Sequence, residues 1–248
     1  MMPDSLDVLR ERFARGDRRA LAELLTRVEA GTAPSLPPRE VGASATRVIG
    51  ITGSGGAGKS TLVSQLIFHL RTLGLRVAVL ACDPQSPRSG GALLGDRIRA
   101  RIDPADDGIY FRSLSTRGAP GGISAAVGPA IEWLRRFGFD VVLVETVGIG
   151  QDQVAVRDVV DTLVLLVTPH TGDEVQWEKA GVIEVADLVA VNKYDLPGAA
   201  RVRQQLEQAL SLGVQRADER RVPVLNVIAA TGEGVPELWS AIAELHAL

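Results

Sequence analysis

A glycine-rich octapeptide, Gly53 to Ser60, constrains this chain more than any other part of its sequence. It follows the apolar stretch 47–52, which is typical of a buried strand, and it precedes the helical apolar pattern of 61–67. A strand, a glycine-rich turn and a helix, in that order, are the context of a phosphate-binding loop. In such a loop, backbone N–H groups surround phosphate oxygens at the positive end of the helix dipole. The octapeptide therefore predicts a nucleoside triphosphate site.

Two side chains of the loop have predicted roles of their own. Lys59 is expected to reach the β- and γ-phosphates, and Ser60 to coordinate Mg²⁺ through its hydroxyl oxygen. The predicted nucleotide contacts are Gly53, Ser54, Gly55, Gly56, Ala57, Gly58, Lys59, Ser60 and Thr61. The glycines also fit the dinucleotide-binding pattern G-x-G-x-x-G, but that motif has no use for a cation and a hydroxyl at the helix start. The pattern therefore favours a phosphate-binding loop.

A second motif, Asn192-Lys193-Tyr194-Asp195, follows the apolar stretch 187–191. In GTP-binding proteins an N-K-x-D run at this place reads guanine. The carboxylate of Asp195 would accept hydrogen bonds from the guanine ring N–H and the exocyclic amino group, a donor pair that adenine lacks. The backbone N–H of Ala229, after the last predicted strand, is expected to contact the guanine carbonyl oxygen. Asn192, Lys193, Asp195 and Ala229 therefore predict guanine as the base.

Two acidic residues lie at strand ends on the same edge of the predicted sheet. Glu145 follows the stretch 141–144, and Asp83 ends the neighbouring predicted strand. Acids at such positions commonly hold Mg²⁺ or its water shell, although either could instead cap a strand or form a turn. Gly148, in the turn after Glu145, is expected to offer its N–H to the γ-phosphate.

Alternating strands and helices predict the fold class. The predicted strands are 47–52, 75–82, a weaker one at 108–112, 139–145, 161–167, 186–191 and 222–227. The predicted helices fall near 59–73, 121–137, 173–184, 198–211 and 235–246. Most of the strands are continuous apolar runs, as in parallel sheets that are buried on both faces. We therefore expect an α/β fold with a doubly wound, mostly parallel sheet, with the ligand at the carboxyl ends of the strands.

The first 46 residues have a different pattern. Residues 4–30 show helical apolar spacing in two stretches, with Asp17 as the expected N-cap of the second helix and Gly31 as its stop. Residues 31–46 are rich in proline and small residues. The expected division is a helical extension with a linker, 1–46, and a P-loop domain, 47–248.

Composition excludes several classes of protein. A chain of 248 residues with 46% hydrophobic content can bury one substantial core, and its net charge of −3 argues against a chain-wide nucleic-acid surface. The single cysteine, Cys82, rules out an intrachain disulfide and a multi-cysteine zinc site. No apolar run approaches the ~18 residues of a membrane span, and the N-terminus is not signal-like. We therefore expect a cytoplasmic protein with no membrane or nucleic-acid partner.

Together these motifs resemble the MeaB/ArgK-type GTPases of the SIMIBI class of P-loop proteins. The resemblance covers nearly the whole chain, and its middle motifs are more specific than the phosphate-binding loop. It rests on residues 16–22, 53–60, 83–96, 115–118, 121–124, 145–151 and 192–195.

The resemblance implies a GTPase chaperone of adenosylcobalamin-dependent acyl-CoA mutases, with GTP or GDP and Mg²⁺ as cofactors. It implies that Asp83, Asp96 and Glu145 form an acidic Mg²⁺ environment beside Ser60. Lys179 matches a lysine in a mobile segment that communicates with the mutase. The implied catalytic residues are Lys59, Asp96, Glu145 and Lys179. Family members usually continue into a C-terminal dimerisation arm, whereas this sequence ends just after the last predicted helix, so a homodimer is possible but would lack that arm.

Two other functions remain open from the residues. A metal-delivery GTPase, of the hydrogenase or urease maturation kind, would need a cysteine and histidine cluster, and the chain has one cysteine and three histidines. An ATP-dependent kinase would suit the loop and Lys59, but the Asn192–Asp195 run counts against adenine. The chaperone interpretation also implies slow intrinsic hydrolysis that the mutase accelerates, because no residue is identified as a general base.

Overall fold

The computed structural model of the chain describes residues 5–36, 46–83, 105–115, 125–146, 156–169, 182–213 and 221–245. Its centre is a seven-stranded sheet in the order β3-β2-β4-β1-β5-β6-β7, and every strand pair in it is parallel. The strands are β1 (Arg47–Gly53), β2 (Val77–Asp83), β3 (Ile109–Ser115), β4 (Val141–Glu145), β5 (Thr162–Val167), β6 (Leu188–Asn192) and β7 (Val224–Val227). The predicted fold class is confirmed.

Helices connect these strands and cover both faces of the sheet. They are α1 (Leu6–Ala14), α2 (Arg18–Glu29), α3 (Lys59–Thr72), α4 (Val127–Phe137), α5 (Val182–Val185), α6 (Ala199–Gly213) and α7 (Val235–Leu245). Of the predicted helix 173–184, only the last residues lie within the described ranges, where they belong to α5. Among the described helices, none has the length and apolar content needed to cross a membrane.

Neighbouring residues of each central strand belong to cores on opposite faces of the sheet. Val48 packs in the core beneath α1, α2 and α4, while Ile49 packs in the core beneath α3 and α7. Val142 and Leu143 on β4 divide in the same way, and all four side chains are fully buried. Because both faces are covered, these strands are continuously apolar, which is why their sequences show no alternation.

The N-terminal helices pack against the sheet domain. Ser5 and Asp17 cap the two helices by accepting backbone N–H bonds, and Asp17 is the predicted cap. The rings of Phe13 and Trp133 on α4 pack in a T-shaped pair at a centroid distance of 5.0 Å, and both side chains are buried. This contact places α1 and α2 in the core on one face of the sheet. The division into two domains at residue 46 stays a prediction.

Strand β3 is longer than predicted. The sequence indicated a weak strand at 108–112, and the structure has seven residues, Ile109–Ser115. Each of them pairs in register with β2, from Val77 opposite Ile109 to Asp83 opposite Ser115. Backbone pairing along the whole of β2 therefore outweighs the low strand propensity of the polar residues in this segment.

Three aspartates each directly precede a strand and form two hydrogen bonds with the backbone at the start of a neighbouring strand. Asp161 donates its N–H to Val48 O and accepts the Val48 N–H at Oδ2, both at 2.8 Å. Asp140 does the same with Arg76, and Asp187 with Leu163. These reciprocal bonds satisfy the first backbone groups at the amino edge of the sheet. Strand β1 begins at Arg47, as predicted, whereas β2, β4, β5 and β6 begin one or two residues later than the apolar pattern predicts.

Replacing Asp161 with alanine should lower the free energy of unfolding by roughly 1–3 kcal/mol, because the Val48 N–H would lose its acceptor in a partly buried position. Urea denaturation measures the effect. Asp158→Ala is the matched control, since Asp158 is exposed and forms no hydrogen bond with the described residues; it should stay within about 0.5 kcal/mol of the unchanged protein. Equal stability of the two variants would contradict a stabilising role for the hydrogen bond between Val48 and Asp161.

Candidate nucleotide site

The carboxyl ends of the central strands bring the predicted site residues to one edge of the sheet. Strand β1 ends at Gly53, β4 ends at Glu145, and β6 ends at Asn192. In the sheet register Ile51 lies opposite Glu145, and Gly53 lies opposite Leu166 on β5. Parallel order therefore places the glycine loop, an acid and the base-reading motif side by side.

The backbone of the glycine loop needs glycine at specific positions. Gly58 has φ +94°, and a Cβ there would lie 2.5 Å from Asn192 Nδ2. Gly53 has φ +148°, and its Cβ would lie 2.3 Å from the backbone O of Leu166. Helix α3 begins immediately after Gly58, which offers no side-chain acceptor to the first N–H groups of the helix. Those N–H groups are thus the kind that bind an anion.

Lys59 is buried under the loop it belongs to. Its Nζ donates to the carbonyl oxygens of Gly53, at 2.8 Å, and Ser54, at 3.0 Å, and the residue is 8% exposed. Burial lowers the pKa of the Lys59 ammonium from its ordinary value, and the Glu145 carboxylate acts in the opposite direction. An ammonium held by two neutral carbonyls can exchange them for the charged oxygens of a phosphate, which are stronger acceptors.

Ser60 and Glu145 meet beside Lys59. Ser60 Oγ donates to Glu145 Oε1 at 2.6 Å, and Glu145 is 1% exposed. Strand β2 pairs with β4 through Ala81 and Glu145, and β2 ends two residues later at Asp83. A hydroxyl and a carboxylate are the hard oxygen ligands that Mg²⁺ prefers, so the donor set fits a magnesium ion next to a phosphate.

Asn192 connects the base-reading motif with the phosphate-binding loop. Its Nδ2 donates to Ala57 O at 2.8 Å, and its Oδ1 accepts the backbone N–H of Ala229 at 2.9 Å. The side chain is 2% exposed, so both bonds form away from water. Sequence reasoning assigned Asn192 to nucleotide binding and did not foresee this bridge, because the bridge joins residues 135 and 37 positions apart.

The two residues after Asn192 differ in how they are held. Lys193 has a left-handed backbone, φ +57°, and its Nζ donates to Gly56 O at 3.1 Å. Asp195 is exposed and forms no hydrogen bond or ion pair with any residue in the described ranges. The carboxylate predicted to read guanine is therefore available to a ligand. The predicted guanine contact of Ala229 stays a prediction, since its N–H is donated to Asn192 here.

The Ser54 hydroxyl is a further possible donor in the loop. Its Oγ is buried and, within the part of the chain that the structure describes, has no hydrogen-bond partner. A buried hydroxyl without a partner costs about 1–3 kcal/mol. The loop thus combines an orphaned hydroxyl, a buried ammonium and a helix start, all of which can donate to a polyanion.

Thr146 is a residue of the site that sequence reasoning missed. It directly follows Glu145, and its Oγ1 lies 3.2 Å from Thr52 Oγ1, while its N–H donates to Ile51 O. These buried bonds tie the end of β4 to the end of β1, and so set the distance between Glu145 and the loop. A threonine at the end of each apolar run was the available signal. Asp96, Gly148 and Lys179 lie outside the described residues.

The sheet order, the glycine loop after β1 and the Asn192–Asp195 motif after β6 define a P-loop nucleotide-binding protein of the SIMIBI class. Residues 21–248 match the family described as methylmalonyl-CoA mutase-associated GTPase MeaB. The chain therefore belongs to the MeaB family of GTPases, and the resemblance inferred from the sequence is confirmed.

Three relatives show the range of this family. A Pyrococcus horikoshii protein is 44% identical over 247 residues, which are 96% of this chain and 77% of the relative. The Mus musculus protein named methylmalonic aciduria type A homolog, mitochondrial, is 38% identical over 92% of this chain and 56% of its own length. The fused isobutyryl-CoA mutase of Nocardia farcinica is 39% identical over 93% of this chain and 22% of its own length.

Solved structures agree with the fold. A structure described as LAO/AO transport system kinase superposes with a TM-score of 0.75 and 28% identity, covering 100% of this chain and 77% of that one. The hydrogenase maturation factor HypB from Archaeoglobus fulgidus superposes with a TM-score of 0.56 and 19% identity, covering 96% of this chain and 97% of that one. At 19% identity, the similarity to HypB concerns the fold alone.

Gly58→Ala should reduce GDP affinity at least about tenfold, a change of ~1.4 kcal/mol in binding free energy, because the new Cβ would collide with Asn192 Nδ2 and displace the base-reading motif. Isothermal titration calorimetry with GDP measures the loss. Gly31→Ala is the control: Gly31 also has a left-handed φ, +70°, but a Cβ there meets nothing within 4 Å. Unchanged GDP affinity in Gly58→Ala would contradict this account of the loop.

Proposed function

We propose that this chain is a GTP-binding and GTP-hydrolysing chaperone that gates cofactor loading and protection of an adenosylcobalamin-dependent acyl-CoA mutase. The observation that carries the nucleotide part of the proposal is the double hydrogen bond of Asn192. By holding Ala57 O and the Ala229 N–H at once, this side chain fixes the glycine loop relative to the two segments that would flank a base. A nucleoside triphosphate is the ligand that needs both a phosphate-binding loop and segments that hold a base.

Guanine is the base that the free carboxylate of Asp195 supports. A carboxylate only accepts hydrogen bonds, and guanine presents a ring N–H and an exocyclic amino group to it. Adenine would leave the carboxylate without donors, so the same contact that binds GTP rejects ATP. The same requirement for two donors weighs against the alternative of an ATP-dependent kinase.

Hydrolysis in this proposal depends on positioning and charge neutralisation, since the transferred phosphoryl group needs little covalent chemistry from the protein. Lys59 and the N–H groups at the start of α3 would hold the phosphates. Ser60 and Glu145, with Asp83 and Asp96, would hold Mg²⁺, which would neutralise phosphate charge when bound. Gly148 would sense the γ-phosphate, and Lys179 would take part when the partner is bound. No residue is identified from the sequence as a general base, and the proposal therefore includes slow turnover without a partner.

The mutase part of the proposal is supported by the relatives. The family is described by its association with methylmalonyl-CoA mutase, and one relative is named for methylmalonic aciduria. In the fused isobutyryl-CoA mutase, a sequence similar to this chain is one part of a longer polypeptide that is named as a mutase. A nucleotide switch that acts on a mutase of this type is the function that accounts for both names and for the site.

Asp195→Asn should weaken GTP binding by about 10²-fold or more and leave ATP binding undetectable, because an amide in this position places a donor group opposite the guanine donors. The same variant should gain affinity for xanthosine triphosphate, whose base carries a carbonyl where guanine has the amino group. Competition against a fluorescent GDP analogue measures all three nucleotides. Asp158→Asn is the control and should bind GTP normally. An unchanged base preference in Asp195→Asn would refute guanine recognition by this carboxylate.

Adding a purified adenosylcobalamin-dependent acyl-CoA mutase from the same organism should raise the rate of GTP hydrolysis at least about tenfold, because the partner would complete the site. Phosphate release under single-turnover conditions measures the rate. Glu145→Gln should bind GDP yet hydrolyse slowly with or without the mutase. Cofactor loading of the mutase should differ between GTP-bound and GDP-bound protein. Rapid hydrolysis that no mutase changes would contradict the chaperone role.

A further inference from the structure

Two buried threonines lie where strands β1 and β4 end at the candidate nucleotide site. Thr52 directly precedes Gly53, and Thr146 directly follows Glu145. The threonines are 0% and 1% exposed, and their hydroxyl oxygens lie 3.2 Å apart. A hydroxyl that is buried away from water is costly without a hydrogen-bond partner. The two side chains therefore hold each other, and they join the residue before the glycine loop to the residue after the acid.

Strand β1 holds Thr146 at a point where the register of β4 has already ended. Glu145 is the last paired residue of β4, opposite Ile51 on β1 and Ala81 on β2. Thr146 lies one residue further on, where its N–H donates to Ile51 O at 3.2 Å and its hydroxyl lies 3.4 Å from the same oxygen. Both of its hydrogen-bond partners among the described residues, Ile51 and Thr52, belong to β1. The backbone that leads out of Glu145 is therefore fixed to the strand that leads into the glycine loop.

Packing alone does not require hydroxyl groups at these two positions. The side chains that precede them on the two strands are apolar and buried, such as Ile51 on β1 and Val144 on β4. Valine has nearly the shape of threonine, and replacing both members of a hydrogen-bonded pair by apolar groups of the same shape can leave stability almost unchanged. A hydroxyl pair differs from a valine pair because it is directional and sets a defined distance between the two strand ends. Hydroxyl groups on both strands at the edge that carries the site therefore indicate a role in the geometry of the site.

The threonine pair sets a distance on which a magnesium site would depend. Ser60 follows the glycine loop at the start of α3, and Glu145 ends β4, so the two oxygen donors come from different segments. Ser60 Oγ donates to Glu145 Oε1 at 2.6 Å. Because Mg²⁺ requires nearly ideal octahedral geometry at about 2.0–2.1 Å, a small displacement of one donor weakens binding of the ion. Any contact that fixes the end of β4 relative to the glycine loop therefore affects the affinity for Mg²⁺.

We propose that Thr52 and Thr146 are positioning residues of the magnesium site. Through their hydrogen bond they hold the Glu145 carboxylate at the distance from Ser60 that Mg²⁺ requires. Neither threonine contacts the ion or the nucleotide, and both act through their neighbours in the chain. Outer contacts that orient the ligands of a metal are typically worth about 10- to 100-fold in metal affinity. This role rests on the proposed function, because Ser60 and Glu145 hold Mg²⁺ only beside a bound nucleotide.

Removing one hydroxyl at a time in the full chain tests this role. Thr146→Val should raise the free Mg²⁺ concentration needed to slow GDP release at least about tenfold, because the Glu145 carboxylate would no longer be held at its distance from Ser60. The release rate of a fluorescent GDP analogue, followed over a series of free Mg²⁺ concentrations, measures this midpoint. In EDTA the release rate should change by less than about twofold, because neither hydroxyl contacts the nucleotide. Thr146→Ser keeps the hydroxyl and should keep the midpoint of the unchanged protein.

Two further variants and a control separate positioning from stability. Thr52→Val and the double variant Thr52→Val/Thr146→Val should shift the midpoint by the same factor as Thr146→Val, because all three lose the same hydrogen bond. Thr46→Val is the matched control, because Thr46 is a buried threonine that precedes β1 at the opposite edge of the sheet and donates to Phe139 O at 2.8 Å. Thr46→Val should lower the free energy of unfolding in urea and leave the Mg²⁺ midpoint unchanged.

The outcomes distinguish failure of the threonine pair from failure of the nucleotide site. An unchanged midpoint in Thr146→Val, or an equal shift in Thr46→Val, would overturn the positioning role and leave the proposed GTP site intact. GDP release that Mg²⁺ does not slow in the unchanged protein would contradict the magnesium site of the proposed function, and the positioning role with it.

Discussion

The amide side chain of Asn192 is the contact on which the nucleotide site depends. It has one donor group and one acceptor group, and it uses them on two different segments, Ala57 and Ala229, in a buried position. A buried amide group without a hydrogen-bond partner is costly. The segments that contain Ala57, Asn192 and Ala229 are therefore stable only in one arrangement. The glycine at 58 is part of the same constraint, because any side chain there would occupy the space of the Asn192 amide.

The site also contains two buried charged groups, Lys59 and Glu145, beside the hydrogen-bond donors of the glycine loop. The Lys59 ammonium and the Glu145 carboxylate are both almost fully buried, and each lowers the cost of the other through their attraction. Their hydrogen bonds go to Gly53 and Ser54 carbonyls and to the Ser60 hydroxyl. Phosphate oxygens are stronger acceptors for the Lys59 ammonium than these neutral carbonyls.

The sequence predicted the strands because continuous apolar runs report burial on both faces of a parallel sheet. It predicted their order in the chain and the start of β1, but not the bonds of Asp140, Asp161 and Asp187 with the starts of neighbouring strands, which join residues far apart in sequence. It underestimated β3, whose polar residues pair along all of β2. Local sequence patterns indicate the propensity of a segment to form a strand, whereas strand register and sheet edges are properties of the assembled sheet.

What the sequence determined by itself is a set of local motifs: a glycine-rich loop between a strand and a helix, an N-K-x-D run predicted to read guanine, and acids at strand ends are each recognisable within a few residues. Their membership of one family followed from the combination of those motifs. What only the tertiary structure decided is how these pieces are joined. The Asn192 bridge, the contact between Ser60 and Glu145, and the threonine pair at Thr52 and Thr146 each link residues that are far apart in the chain. Such contacts arise only when parallel strands align their carboxyl ends, and that alignment comes from packing both faces of the sheet.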